Sequence, residues 1–384
     1  KDDDPTVYSI PIDTTITEKI ENFRSLLSKK GLAETDSGYY KKLSSESHYL
    51  FEKLLAQPLA NLDEKVKQLI IIPDAELGYL PFELLLTDQV GQAKLNFRTL
   101  PYLLKAYSVQ YAYSTTLLLD RVSNDLEATS GLISYAPIYA SELTDSIAVE
   151  RSGRYRDAIV PLEWNDKEAQ AINQYVSGET YLAQAATESA FKANAKNSRI
   201  LHLAMHAFVD DEDPMNSKLV FTQDNDSIED GFLHTFELYN MDLNAELVVL
   251  SACETGYGKL VKGEGIMSLA RGFSYAGVPS VVMSHWQVDD FSTSQIMELF
   301  YKNLADGLTK DEALRQAKLE FLETTEELRT HPFFWGSFVL LGDASEIDLN
   351  DGPNLYLIIG SILLLAIGII LFLSARARAY RKQS

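Results

Sequence analysis

This sequence predicts an α/β fold: a mostly parallel sheet with helices on both faces. Three observations carry that expectation. From residue 66 onward short apolar runs alternate with segments of helical spacing, the order expected of strand–helix–strand units. The runs, such as Leu247-Val248-Val249-Leu250, are continuously apolar, as strands buried on both faces are. The chain has 384 residues, 46% hydrophobic and 10% aromatic, enough for a large core.

The elements follow in order. Residues 15 to 30 and 38 to 56 space their apolar positions as helices, the second ending near Pro58, and make a helical lead-in over 1–60. Val66 to Ile72, closed by Pro73, predicts the first strand, and Leu80-Pro81-Phe82-Glu83-Leu84-Leu85 a short helix behind it. Further strands are expected at 106–112, 129–135, 199–206, 246–252, 278–284 and 336–341, and helices at 115–122, 165–176, 187–196, 264–276, 291–305 and 310–325. Residues 141–160 are polar and aperiodic, a surface loop. No internal repeat or low-complexity tract occurs.

A net charge of −21 argues against binding nucleic acid, which needs clustered Lys and Arg. The start, Lys1-Asp2-Asp3-Asp4, has neither Met nor a signal-peptide pattern, which suggests the C-terminal part of a longer protein. At the other end, Leu355 to Leu373 is an uncharged stretch of 19 residues, roughly 28 Å as a helix. The expectation is an acidic linker over 346–354, a single transmembrane helix over 355–374 and a basic tail over 375–384. Arg376, Arg378, Arg381 and Lys382 follow the apolar run, and acidic residues precede it. That asymmetry places the tail in the cytoplasm and the main domain in a periplasm or outside the cell, hence a bacterial setting. A tail anchor facing the other way is the competing topology.

Cys253 is the only cysteine, and it stands where an apolar strand runs into the polar, glycine-rich Ser251-Ala252-Cys253-Glu254-Thr255-Gly256. A thiol at a strand's exposed end suits a nucleophile, which needs a base. His206 lies 47 positions upstream, at the end of another strand-like run. Adjacent parallel strands would bring both to the carboxyl rim, where functional loops of open α/β sheets gather. The chemistry would be acyl transfer, with the backbone N–H groups of Cys253 and Ala207 as oxyanion donors. Spacing alone leaves equally open a buried cysteine and a core histidine.

Other patterns carry weaker signals. His202 and His206 are four apart, but Leu201, Leu203 and Met205 alternate with them as in a strand, so a metal face is not expected and no metal or cofactor is assigned. His202 reads as a packed residue supporting the site. The glycines from Gly256 to Gly265 lack the closing Gly-Lys-Ser/Thr order of a phosphate loop. Asp289 and Asp290 precede Phe291-Ser292-Thr293 and suit a helix N-cap. Alternatively, with Glu254 and a pocket wall from Trp286, they would select a Lys or Arg before the cut bond.

Taken in order, Ile71-Ile72-Pro73-Asp74, Leu80-Pro81-Phe82-Glu83, Leu201-His202-Leu203-Ala204-Met205-His206-Ala207, Val249-Leu250-Ser251-Ala252-Cys253-Glu254-Thr255-Gly256, Gly263-Glu264-Gly265, Leu269-Ala270-Arg271-Gly272-Phe273, Trp286-Gln287-Val288-Asp289-Asp290 and Pro332-Phe333-Phe334-Trp335-Gly336-Ser337-Phe338 resemble the CHAT domain. The resemblance covers about residues 40–343, and the domain itself is expected over 61–345. It implies a caspase-like three-layer α/β/α sandwich related to separase and the gingipains. It also implies a Cys253/His206 dyad, endopeptidase activity on proteins, and control by upstream tetratricopeptide repeats that recognise a partner. By analogy with separase it makes Asp290 the better specificity candidate. Caspases place Gly after the catalytic His, whereas this chain has Ala207. A catalytically silent scaffold and, less favoured, a metal-dependent hydrolase are the alternatives.

Overall fold

The computed structural model describes residues 6–28, 37–91, 96–120, 130–139, 161–210, 212–223, 228–251, 259–261, 265–267, 269–287 and 289–349. Lys1–Ile347 forms one compact unit and Asp348–Ser384 a second.

The lead-in helices come first. Helix α1 (Thr14–Leu27) starts at Asp13, whose side chain accepts from Thr15 N–H and Ile16 N–H, and buries Ile16, Ile20, Phe23 and Leu27. Helix α2 (Ser37–Leu54) packs on α1, and a short α3 (Ala56–Leu59) follows. Polar bonds fasten α2 to the rest: Ser47 Oγ donates to Leu84 O (3.0 Å) and accepts from Leu86 N–H (2.9 Å). Tyr39 Oη donates to Leu26 O (2.6 Å) and meets His331 Nε2 at 2.7 Å.

The main sheet has eight strands: β1 (Gln68–Ile71), β2 (Ser108–Tyr111), β3 (Ser130–Pro137), β4 (Gly178–Ala183), β5 (Ser198–Leu203), β9 (Leu247–Leu250), β12 (Ser280–Ser284) and β13 (Phe338–Gly342). Their order is β1-β2-β13-β12-β9-β5-β3-β4. Every pairing is parallel except β12 with β13, as the long helical crossovers require. Helices α4 (Thr115–Asp120), α5 (Asn165–Ile172) and α6 (Glu188–Asn194) lie between the earlier strands. Three elements then complete a second sheet: β6 (His206–Phe208), β7 (Lys218–Val220) and β8 (Phe232–His234), antiparallel throughout. After them come α7 (Thr235–Leu238), the hairpin β10 (Lys259–Val261) with β11 (Gly265–Met267), and α8 (Leu269–Tyr275), α9 (Asp290–Ala305) and α10 (Lys310–Thr324).

Helices cover both faces. On one, α5 packs on α9 and α9 on α10, and His202 of β5 bonds to Glu168 of α5 and Tyr301 of α9. Strand alternation turns Leu203 to the other face, together with its register partner Tyr135, which meets Phe191 of α6 with ring centroids 5.5 Å apart. A mixed α/β fold with a mostly parallel central sheet is therefore what forms.

Three expectations change, and one strand of the main sheet was not expected. The strand expected over 199–206 stops at Leu203, and His206 starts β6 in the second sheet. Segment 264–276 holds a hairpin strand before its helix, which begins at Leu269. Strand β4 had no apolar signature because it is an edge strand with an open face. It packs so closely that a Cβ on Gly178 would sit 1.9 Å from Leu132 O. Finally, the membrane expectation is corrected. Residues 355–374 lie outside the described residues, and among those described no helix is long and apolar enough to cross a membrane. The 18-residue α2, for instance, carries Lys41, Lys42, Glu46, Glu52 and Lys53. The single-pass topology, with its membrane contact and extracytoplasmic domain, is withdrawn with it. The expected loop at 141–160 also lies outside the described residues.

Candidate active site

The rim is built by register. In the parallel pair of β5 and β9, Leu203 stands opposite Leu250. His206 follows Leu203 by three residues, and in sequence Cys253 follows Leu250 by three. Cys253 and Glu254 lie outside the described residues. His206 is half-buried and opposes Val220 of β7. Its N–H donates to Tyr139 Oη at 2.9 Å, and the two rings lie 4.8 Å apart at 52°. Ala207 stands opposite Leu219. Among the described non-glycine residues only Ala75 and Ala183 have positive φ, so the backbone at Ala207 demands no glycine.

His202 is fully buried one layer below. Its Nε2 donates to Glu168 Oε1 at 2.8 Å, and its Nδ1 lies 3.1 Å from Tyr301 Oη. Burial first, and then the Glu168 carboxylate, push the Tyr301 hydroxyl well above its ordinary pKa, which keeps it protonated as the donor to Nδ1. His202 and His206 thus belong to different sheets and have different partners, which removes the shared metal face. Among the described residues one trio of carboxylates, Glu188, Glu229 and Glu237, has oxygens within 4.8 Å of one another. Its centre is taken by the Lys192 ammonium, at 2.7, 2.5 and 2.6 Å from the three.

The acidic candidates are engaged by the chain itself. Asp289 is the N-cap of α9, accepting from Ser292 N–H and Oγ at 3.1 and 2.8 Å. Asp290 Oδ2 accepts from the N–H groups of Glu163 and Trp164 at 2.7 and 2.9 Å. Burial raises the Asp290 pKa, the two backbone bonds oppose it, and Glu168 and Asp289 add to the rise. Trp286 is 1% exposed and gives its Nε1–H to Phe333 O, so it is core. Beside it, His285 is buried with Nε2 unpartnered, and burial pushes its pKa down to about 4.

Sequence reasoning missed Tyr139, Glu168 and Tyr301. Tyr139 had a signal: it lies two residues past Pro137, the end of β3, a third strand end on the same rim.

The sequence model of the CHAT domain matches residues 45–343. Two curated relatives, human and mouse tetratricopeptide repeat protein 28, are 24% and 23% identical over 326 residues, 75% of this chain. The chain spans 12% of their length, and these mammalian relatives lend no support to a bacterial setting. Among solved structures, the Arg-specific cysteine proteinase gingipain R is similar with a TM-score of 0.45 and 10% identity, over 88% of this chain and 77% of that one. The Saccharomyces cerevisiae separase–securin complex is similar with a TM-score of 0.43 and 11% identity, over 88% of this chain and 23% of that one.

Proposed function

The chain belongs to the CHAT domain family, and on that premise we propose that it is a caspase-like cysteine endopeptidase acting on proteins through Cys253 and His206. One observation carries the reading. Adjacent parallel strands align Leu203 with Leu250, and the imidazole and the thiol each follow by three residues. His206 takes the thiol proton, and the thiolate attacks the scissile carbonyl carbon. The N–H groups of Cys253 and Ala207 receive the oxyanion, and the imidazolium returns the proton to the leaving amine. Water then hydrolyses the thioester and restores the thiol. Both Asp290 bonds to the main chain use Oδ2, so Oδ1 is the atom we assign to a basic side chain before the cut bond.

Iodoacetamide tests the dyad, because Cys253 is the only thiol to label. At pH 7 the labelling rate should fall about tenfold or more in His206→Ala, as an assisted thiolate reverts to an ordinary thiol. Labelling as slow as a free thiol, and indifferent to His206→Ala, would sink the peptidase. A second reading is a scaffold in a repeat protein, favoured by relatives named for their tetratricopeptide repeats. That labelling result is the one the scaffold expects.

A further inference from the structure

We propose that Tyr139 is the positioning residue for His206, holding it on the second sheet beside the carboxyl end of β3. The inference rests on reading His206 as the base.

Strand β6 is only three residues long and half-exposed along its length. Its place against the main sheet must therefore come from bonds as well as burial. The Tyr139 hydroxyl supplies two. It accepts from His206 N–H at 2.9 Å and donates to Val220 O at 2.9 Å, and His206 and Val220 face each other in the β6–β7 register. One oxygen thus joins both strands of the pair to the segment that leaves β3. The Tyr139 ring is 4% exposed and packs with Val220, Leu162, Phe208 and Phe232, so the hydroxyl is aimed by a fixed ring rather than by a mobile arm. The same ring lies 4.8 Å from the His206 imidazole. The next residue of this joint acts elsewhere: Thr222 Oγ1 accepts from Ile138 N–H at 3.0 Å and donates to Ala183 O at 2.6 Å. It ties the end of β7 to β3 and β4 without touching His206.

This division suggests the test. Tyr139→Phe keeps the ring and removes the oxygen, and with it the bonds to the part-buried His206 N–H and to the Val220 carbonyl. Thr222→Val removes the parallel bonds and serves as the control for stability alone. The full chain is used in each case, with two readouts: the pH profile of iodoacetamide labelling at Cys253, and amide hydrogen exchange of the peptide containing His206. In the parent the labelling midpoint should lie below the value of about 8.5 for a free thiol. Tyr139→Phe should return it towards that value, slow labelling at pH 7 about tenfold, and raise His206 exchange about tenfold. Thr222→Val should lower the thermal midpoint and leave the labelling profile in place.

Unchanged exchange at His206 in Tyr139→Phe overturns the clamp. Faster exchange with an unchanged labelling profile overturns its role at the site. Equal displacement of the labelling profile by Thr222→Val overturns the assignment to Tyr139 specifically. A parent that labels like a free thiol overturns the dyad itself, and that failure is separate because it appears before any variant is made.

Discussion

The eight-stranded sheet and the three-stranded sheet differ in how their rim strands, β9 and β6, are held. In the large one, Leu201 and Leu203 of β5 and Val248, Val249 and Leu250 of β9 are all 0% exposed, and removal of apolar surface from water fixes the strands. In the small one, β6 is half-exposed. Its neighbours bury Leu219, Val220 and Leu233, but β6 itself and the ends of β7 and β8 are held by Tyr139, by Thr222 and by the cluster of Lys192 with Glu188, Glu229 and Glu237. Apolar burial is non-directional and tolerates small shifts, whereas a hydrogen bond weakens steeply when misaligned. The half of the rim that carries His206 is therefore the half whose position can be tuned by single polar groups, and the half leading to Cys253 is the rigid reference.

The largest effect should come from the large sheet. Leu201→Ala leaves a cavity at a fully buried site between β3 and β9 and should cost about 2–5 kcal/mol. The urea midpoint should fall with an unchanged slope, because the unit that melts is the same. A loss under about 1 kcal/mol would mean that this strand is not held by burial, and the contrast would break.

Acid should strike the same body next. Burial pushes His331 down to about 4, and it pushes His285 to about 4 as well. For both, the folded value lies below the unfolded value of 6.5. Well above 6.5 the two states bind protons alike. Between 6.5 and 4 the unfolded chain takes a proton that the folded chain refuses, so stability is lost as pH falls through that window. Each histidine should cost on the order of 3 kcal/mol once the loss is complete. His331→Gln should remove about half of the slope in urea midpoint against pH attributable to this pair. A flat profile from 6.5 to 4 would show that neither ring is held neutral.

Much of the large sheet could be read from the chain because its signal is periodic. Continuous apolar runs gave β5, β9, β12 and β13 within a few residues. The strand–helix alternation gave the parallel order, and Asp289 announced the start of α9. The small sheet had no such signal. Strands of three residues carry too few positions to show a period. For that reason His206 was placed one sheet away from where it lies. The support of the site was illegible for a related reason: Tyr139, Glu168 and Tyr301 reach their histidines across 67, 34 and 99 residues of sequence, and pairings that distant leave no local pattern. Asp290 shows the converse. Its position was found, but its bonds to Glu163 and Trp164 depend on a segment 127 and 126 residues away.

The smallest effect, and the one that sharpens the contrast most, belongs to Lys192. Burial works against its charge, but the bonds to Glu188, Glu229 and Glu237 outweigh it and raise its pKa. Burial raises Glu188 as well, with Lys192 opposing the rise and Glu237 and Glu229 adding to it. Glu188 also accepts from Gly231 N–H, and Glu237 from His234 N–H, so the cluster anchors both ends of β8. Lys192→Met leaves three carboxylates facing one another. Lys192 is 26% exposed, so water screens part of the loss and the global cost should be about 1 kcal/mol. The exchange should be local, with faster amides in β6, β7 and β8 and unchanged ones in β5 and β9. Its pH dependence should run opposite to that of the histidines. Without the ammonium, Glu188 is pushed further above its unfolded value, so protonation favours the folded state and the deficit should shrink as pH falls from 7 to 5. A deficit that grows on acidification, or exchange that rises equally in β9, would mean that the two sheets share one set of restraints.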